Sequence, residues 1–158
     1  MKLSVTQIAL GILIVLVAGY IIWWMFFGVA PLLEDKILNE SGALVTNVTL
    51  ENAALFTAAR YASFLLFACG VVAVILGAFG KIIASIRKIA VTEIVLGVLI
   101  VLISAYLFRW GYALDFVVMI EGGPVLDMSR AKAFTILTAL FGLAITGAGI
   151  GQFVKVRR

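Results

Sequence analysis

Acid–base, nucleophilic or metal chemistry needs a small set of side chains, and this chain holds few of them. It has no histidine and a single cysteine, Cys69, set inside an apolar run. Without histidine the commonest zinc, copper and haem ligand is missing, as is the usual general base near neutral pH. A Ser/His/Asp set is therefore impossible, and no Walker loop occurs. No cationic residue lies near Cys69 in sequence to activate it, so it reads as a buried, unreactive thiol. These absences predict no catalytic, cofactor-binding or metal-ligating residues and a protein that is not an enzyme.

The charged residues that remain sit near the ends of apolar runs. Glu93 falls in what reads as the first turn of the third run, where a helix N-terminus favours a carboxylate. The spacing thus predicts an interfacial cap, with a proton or cation site as the alternative. Arg60 and Arg109 lie at a similar level near the outer ends of their runs, placed to snorkel to headgroups, with Asp115 and Glu121 as candidate partners of Arg109; lining an outer vestibule is the alternative. Asn39-Glu40-Ser41 and Asn47-Val48-Thr49 carry the N-glycosylation pattern, which makes Asn39 and Asn47 candidate acceptors.

The elements that must position these residues are apolar helices. Of the 158 residues 65% are hydrophobic and 13% charged, against about 45–50% and about 25% in soluble domains. Lipid contact accounts for the excess. A formal charge of +4, with no long basic run interleaved with aromatics, does not suggest a nucleic-acid partner. The stretch Val5-Thr6-Gln7-Ile8-Ala9-Leu10-Gly11-Ile12-Leu13-Ile14 recurs 86 residues later as Val91-Thr92-Glu93-Ile94-Val95-Leu96-Gly97-Val98-Leu99-Ile100, and the likeness runs on to Tyr20 and Tyr106. Glu93 therefore answers to Gln7, and Arg109 to Trp23. Each copy is long enough to cross a bilayer, which takes about 20 helical residues. The first run is too long for the apolar region of a signal peptide, and its copy lies mid-chain, so it reads as retained.

The sequence predicts an all-α integral membrane protein with four transmembrane helices, over about 5–29, 55–80, 89–112 and 131–154. It divides into a two-helix repeat at 1–88, with a long outer loop at about 30–54, and a second at 89–158, with a shorter one at about 113–130. In the first loop, residues 44–50 are rich in β-branched side chains and read as a short strand. In the second, Phe116–Ile120 followed by Glu121-Gly122-Gly123-Pro124 reads as a hairpin or re-entrant turn. The second helices of the repeats align through Gly80-Lys81 with Gly151-Gln152. Seven lysines and arginines crowd the two termini and the 81–88 link, while five are spread over the longer loops and their flanks. The positive-inside rule then puts both termini in the cytoplasm and two loops outside the cell membrane, with the two repeats parallel.

Small residues at helical spacing predict packing faces: Gly70 and Gly77 in the second helix, and Gly142, Gly147 and Gly151 in the fourth. The pair Gly147–Gly151 reads either as contact within one bundle or as a self-association or partner face. Apolar Phe116, Val118 and Ile120 on an outer loop need a cover and are candidate partner contacts. The layout of four crossings with a larger first outer loop resembles that of claudin-type tetraspan proteins, whose paired outer-loop cysteines and tryptophan-centred motif this chain lacks. Taken together, the residues predict a non-catalytic membrane subunit or scaffold with no cofactor, surrounded by lipid and packed against other membrane subunits or itself. The alternative is a small homo-oligomeric channel or transporter, lined by weakly polar Thr57, Ser63, Ser104, Thr135, Thr138 and Thr146.

Overall fold

A computed structural model describes residues 5–29, 36–38, 44–46, 50–83, 85–120 and 129–157, with side chains described within 5–27, 57–80, 85–109 and 132–155. Helix α1 spans Val5–Trp24 and passes into a π-helical turn, Met25–Val29. Strands β1 (Lys36–Leu38) and β2 (Leu44–Thr46) follow, then α2 (Leu50–Ile83), α3 (Ile86–Ile120) and α4 (Ser129–Arg157). Among the described residues, four helices are long and apolar enough to cross a membrane: the segments Val5–Phe27, Thr57–Gly80, Ile86–Arg109 and Lys132–Lys155. The described chain is helical apart from the small ribbon, in which β1 and β2 pair antiparallel with Ile37 opposite Val45.

Several helix boundaries differ from those the sequence suggests, and three of them bear on the candidate residues and loops. Helix α2 begins at Leu50, inside the stretch read as loop; Glu51 in its first turn and Ala53-Ala54 suit a helix start. Helix α3 begins at Ile86, where the Ile89 amide donates to the Ser85 carbonyl at 3.1 Å. Only residues 84 and 85 therefore separate the two helices, rather than an eight-residue connection. At its far end α3 runs on to Ile120, so Phe116–Ile120 is helix rather than one arm of a hairpin. Gly111 alone does not stop a helix, and no strong breaker follows it before Gly122-Gly123-Pro124.

The helices pack as neighbours in chain order, most extensively α3 with α4 and α1 with α2, less so α2 with α3, and least α1 with α4. Glycine sets the two closest seams. A side chain at Gly11 would meet the Val74 backbone nitrogen at 2.7 Å and the Gly70 carbonyl oxygen at 2.9 Å. At Gly97 it would meet the Thr146 hydroxyl, and the Gly142 carbonyl oxygen at 2.6 Å. Gly77 lies against Ile8 and Gln7, and Gly149 against Ile94 and Glu93. In lipid, where apolar burial gives helices little reason to associate, such close backbone approach supplies the packing energy.

The paired contacts fix a register. Gly70, Val74 and Gly77 correspond to Gly142, Thr146 and Gly149, a spacing of 72 residues in each case. The alignment of Gly80 with Gly151 is one residue short of this. One residue is about 100° around a helix, enough to turn a packed position outward. Gly80 accordingly faces Ile89, whereas a side chain at Gly151 would meet nothing within 4 Å.

Candidate functional site

The inward stripe of α3 runs through Ile89, Glu93, Leu96, Ile100, Ile103 and Leu107, all buried. Steps of three and four residues keep them on one face. Because α3 starts at Ile86, Glu93 is two turns into the helix and not in its first turn. Its side chain faces the bundle interior with 1% exposure. The reading of Glu93 as an interfacial cap is thereby overturned: its carboxylate reaches across to α4, where Gln152 Nε2 donates to Oε1 at 3.3 Å.

Gln7 joins them from α1, 7% exposed. Thr6, Gln7, Glu93 and Gln152 line a cavity of about 120 Å³ between α1 and α4, with Ala144 and Ala148 among its walls. Glu93 Oε2 and Gln7 Nε2 are buried there without a hydrogen-bond partner among the described residues. An uncompensated buried polar atom costs about 1–3 kcal/mol, and here an amide donor and a carboxyl acceptor face one cavity. The sequence matches Gln7 to Glu93 as repeat counterparts, but not as neighbours on one cavity. The approach of Gln152 to Glu93 carries no sign in the sequence either.

The hydroxyls suggested as pore-lining are mostly tied up within the bundle. Ser63, Ser104, Thr135 and Thr138 are buried. Thr138 donates to the Thr135 carbonyl at 2.9 Å, which leaves Ser104 as the donor in its 2.9 Å bond to Thr138 across the α3–α4 seam. Ser63 donates to the Ala59 carbonyl and lies 3.6 Å from Met25 Sδ, where the π-helical turn begins. Thr135 donates to Lys132 and half-buried Thr146 to Gly142. Thr57 is exposed.

The remaining candidates divide between packed and open positions. Gly70, Gly77 and Gly142 lie in the two close seams, whereas Gly147 and Gly151 face away from the bundle with nothing within 4 Å. The Gly147–Gly151 pair thus makes no contact within the described bundle. Arg60 lies over the Phe26 ring at 4.1 Å, and Arg109 is exposed. Cys69 is a buried free thiol on α2. No group of three or more His, Cys, Asp or Glu gathers among the described residues. Asn39 and Asn47 lie outside the described residues, and for Phe116, Val118 and Ile120 only the helical backbone is described.

Among the described residues, four apolar helices long enough to cross a membrane carry a polar cluster at one end, an arrangement consistent with a multi-pass membrane protein. No known protein family matches this chain, and no curated protein or solved structure is similar to it.

Proposed function

We propose that the protein is a non-catalytic membrane subunit or scaffold that packs against partner helices through the outer face of α4 and presents its longer loops for assembly of a larger complex. The outward-facing pair Gly147 and Gly151 is the observation that carries this reading. Helix α4 uses Gly142 and Gly149 against α3 and keeps a second small-residue face open. A lipid-facing helix gains nothing from glycine, which costs about 1 kcal/mol against alanine; a helix that receives another backbone does.

The same proposal takes the chain as two parallel copies of one helical hairpin in the cell membrane. The 86-residue spacing of α1 and α3 and the 72-residue spacing of α2 and α4 support it. Lysine and arginine crowd the end that carries the termini, so that end is assigned to the cytoplasm. Asn39 and Asn47 then fall outside, open to glycosylation where the host has the pathway. The alternative, a small homo-oligomeric channel or transporter, has less support, because Ser63, Ser104, Thr135 and Thr138 are buried, with hydroxyls bonded to their own helix or, for Ser104 and Thr138, to each other.

Gentle-detergent purification from native membranes tests the proposal. Stoichiometric co-purification with other polypeptides, lost in a Gly147→Leu, Gly151→Leu chain that still folds, is the expected result. A self-only oligomer that carries solute flux in liposomes overturns it in favour of the alternative.

A further inference from the structure

The cavity between α1 and α4 brings a buried carboxyl, two amides and a hydroxyl together from three helices. A buried carboxyl in proteins is protonated, paired or bound to an ion, and Glu93 has one oxygen bonded to Gln152 and the other without a partner among the described residues. The geometry points to this cleft as a binding site for one small monovalent cation, an alkali ion or an ammonium group. Glu93 supplies the counter-charge, and the amide oxygens of Gln7 and Gln152 and the hydroxyl of Thr6 are the neutral ligands. The inference goes beyond the scaffold reading and does not depend on it.

Charge and ligand type select the ion. One carboxylate among neutral oxygens balances a single positive charge. Calcium takes six to eight oxygens, usually with several carboxylates, and softer metals want imidazole or thiolate. The chain has no histidine, and its cysteine lies on α2, away from the cleft. Gln7 Nε2 has no partner among the described residues. The two ends of an amide are nearly alike in shape, so the group turned over offers its oxygen to the same space.

Size and access agree. A space of about 120 Å³ takes a partly hydrated alkali ion or a short alkylammonium. Helices α1 and α4 are the least closely packed neighbours of the bundle, and exposed Ala144 and Ala148 leave the cleft open along that seam. Gln7 and Gln152 sit in the first and last turns of their spans, within reach of water. Arg87 and Lys88 at the same end are exposed and therefore screened by salt. A bound cation touches α1, α3 and α4 at once and closes the weakest seam.

The test is thermal unfolding of the purified full-length chain in detergent at constant ionic strength. The salts are sodium, potassium and methylammonium chloride, with N-methylglucamine chloride as a cation too bulky for the cavity. A saturable rise of the midpoint with at least one small cation is expected, because a ligand that binds the native state alone stabilises it. Which salt acts separates an alkali ion from an ammonium group. Glu93→Gln, the amide found at the equivalent position of α1, should lose the response. Ala148→Leu keeps the carboxyl but fills the cleft, and should lose it as well. Identical midpoints in all four salts overturn the proposal, as does a full response in a folded Glu93→Gln chain. Should Glu93→Gln not fold, a full response in Ala148→Leu overturns it.

Discussion

The seam between α1 and α2 and the seam between α3 and α4 put glycines against matching neighbours but fill the space around them differently. In the first, Gly11 meets Val74 and the Gly70 carbonyl, and the buried positions nearby are Ala18 and Leu66. In the second, Gly97 meets Thr146 and the Gly142 carbonyl, and the positions matching Ala18 and Leu66 are Ser104 and Thr138, which hydrogen-bond each other. Gln7 on α1 becomes Glu93 on α3. One backbone geometry thus accepts both an apolar pair at these positions and a pair of hydroxyls that clasp each other. Close approach comes from the glycines in both; the polar residues of the second seam add directional bonds.

Glycine substitutions break the comparison most severely. At Gly97 an alanine methyl would collide with the Thr146 hydroxyl and with backbone atoms of Gly142 and Thr146, which cannot turn aside. Overpacking costs about 1–3 kcal/mol, and Gly97→Ala should lie at or above the upper end, read as lost stability in equilibrium unfolding from mixed detergent micelles. Gly11→Ala meets backbone at 2.7 and 2.9 Å and should cost nearly as much. If one substitution is tolerated and the other is not, the two seams are not alike in spacing.

The hydroxyl clasp is the next test. Thr138→Val removes the acceptor of the Ser104 bond at constant shape and should cost about 1 kcal/mol, in the range of interhelical hydrogen bonds in membranes. Ser104→Ala should cost a similar amount by the same measurement. The double change should cost less than the sum, because each single change already removes the bond.

A smaller effect asks whether the clasp can be transplanted. Ala18→Ser and Leu66→Thr place the second seam's pair on the first. Each alone should destabilise, Leu66→Thr more, since it removes buried apolar volume. The pair should show a favourable coupling of about 0.6 kcal/mol, the average for hydrogen bonds between membrane helices. A coupling of zero in the double-mutant cycle would show that the two seams differ in side-chain geometry despite their matching glycines.

The sequence reveals parts of this arrangement unevenly, for physical reasons. The four apolar runs show where the spanning helices lie because lipid demands uninterrupted apolar length. The recurrence of Gly11 as Gly97 is visible because α1 and α3 share most of their residues. Helices α2 and α4 share few, so glycines alone cannot fix their register, and an error of one residue turns a packed face outward. The burial of Glu93 turns on where α3 starts: three residues at the N-terminus decide whether a carboxylate caps a helix or faces the core. Gln152 gives no local sign, since an amide near a helix end usually faces solvent and its partner stands on another helix.

The smallest expected effect separates the two glycine faces of α4. Gly149 lies 2.9 Å from the Ala90 carbonyl oxygen at its would-be Cβ, while Gly147 meets nothing within 4 Å. Gly149→Ala should therefore destabilise the isolated protein. Gly147→Ala should leave it unchanged or gain up to about 1 kcal/mol of helix propensity, measured by the same unfolding assay. The order should reverse for association in native membranes: Gly147→Ala weakens it if another helix packs against that face, because each methyl pushes the backbones apart. A Gly147→Ala chain that loses stability on its own would place this face inside the bundle, and the contrast between the packed and open faces of α4 would fall.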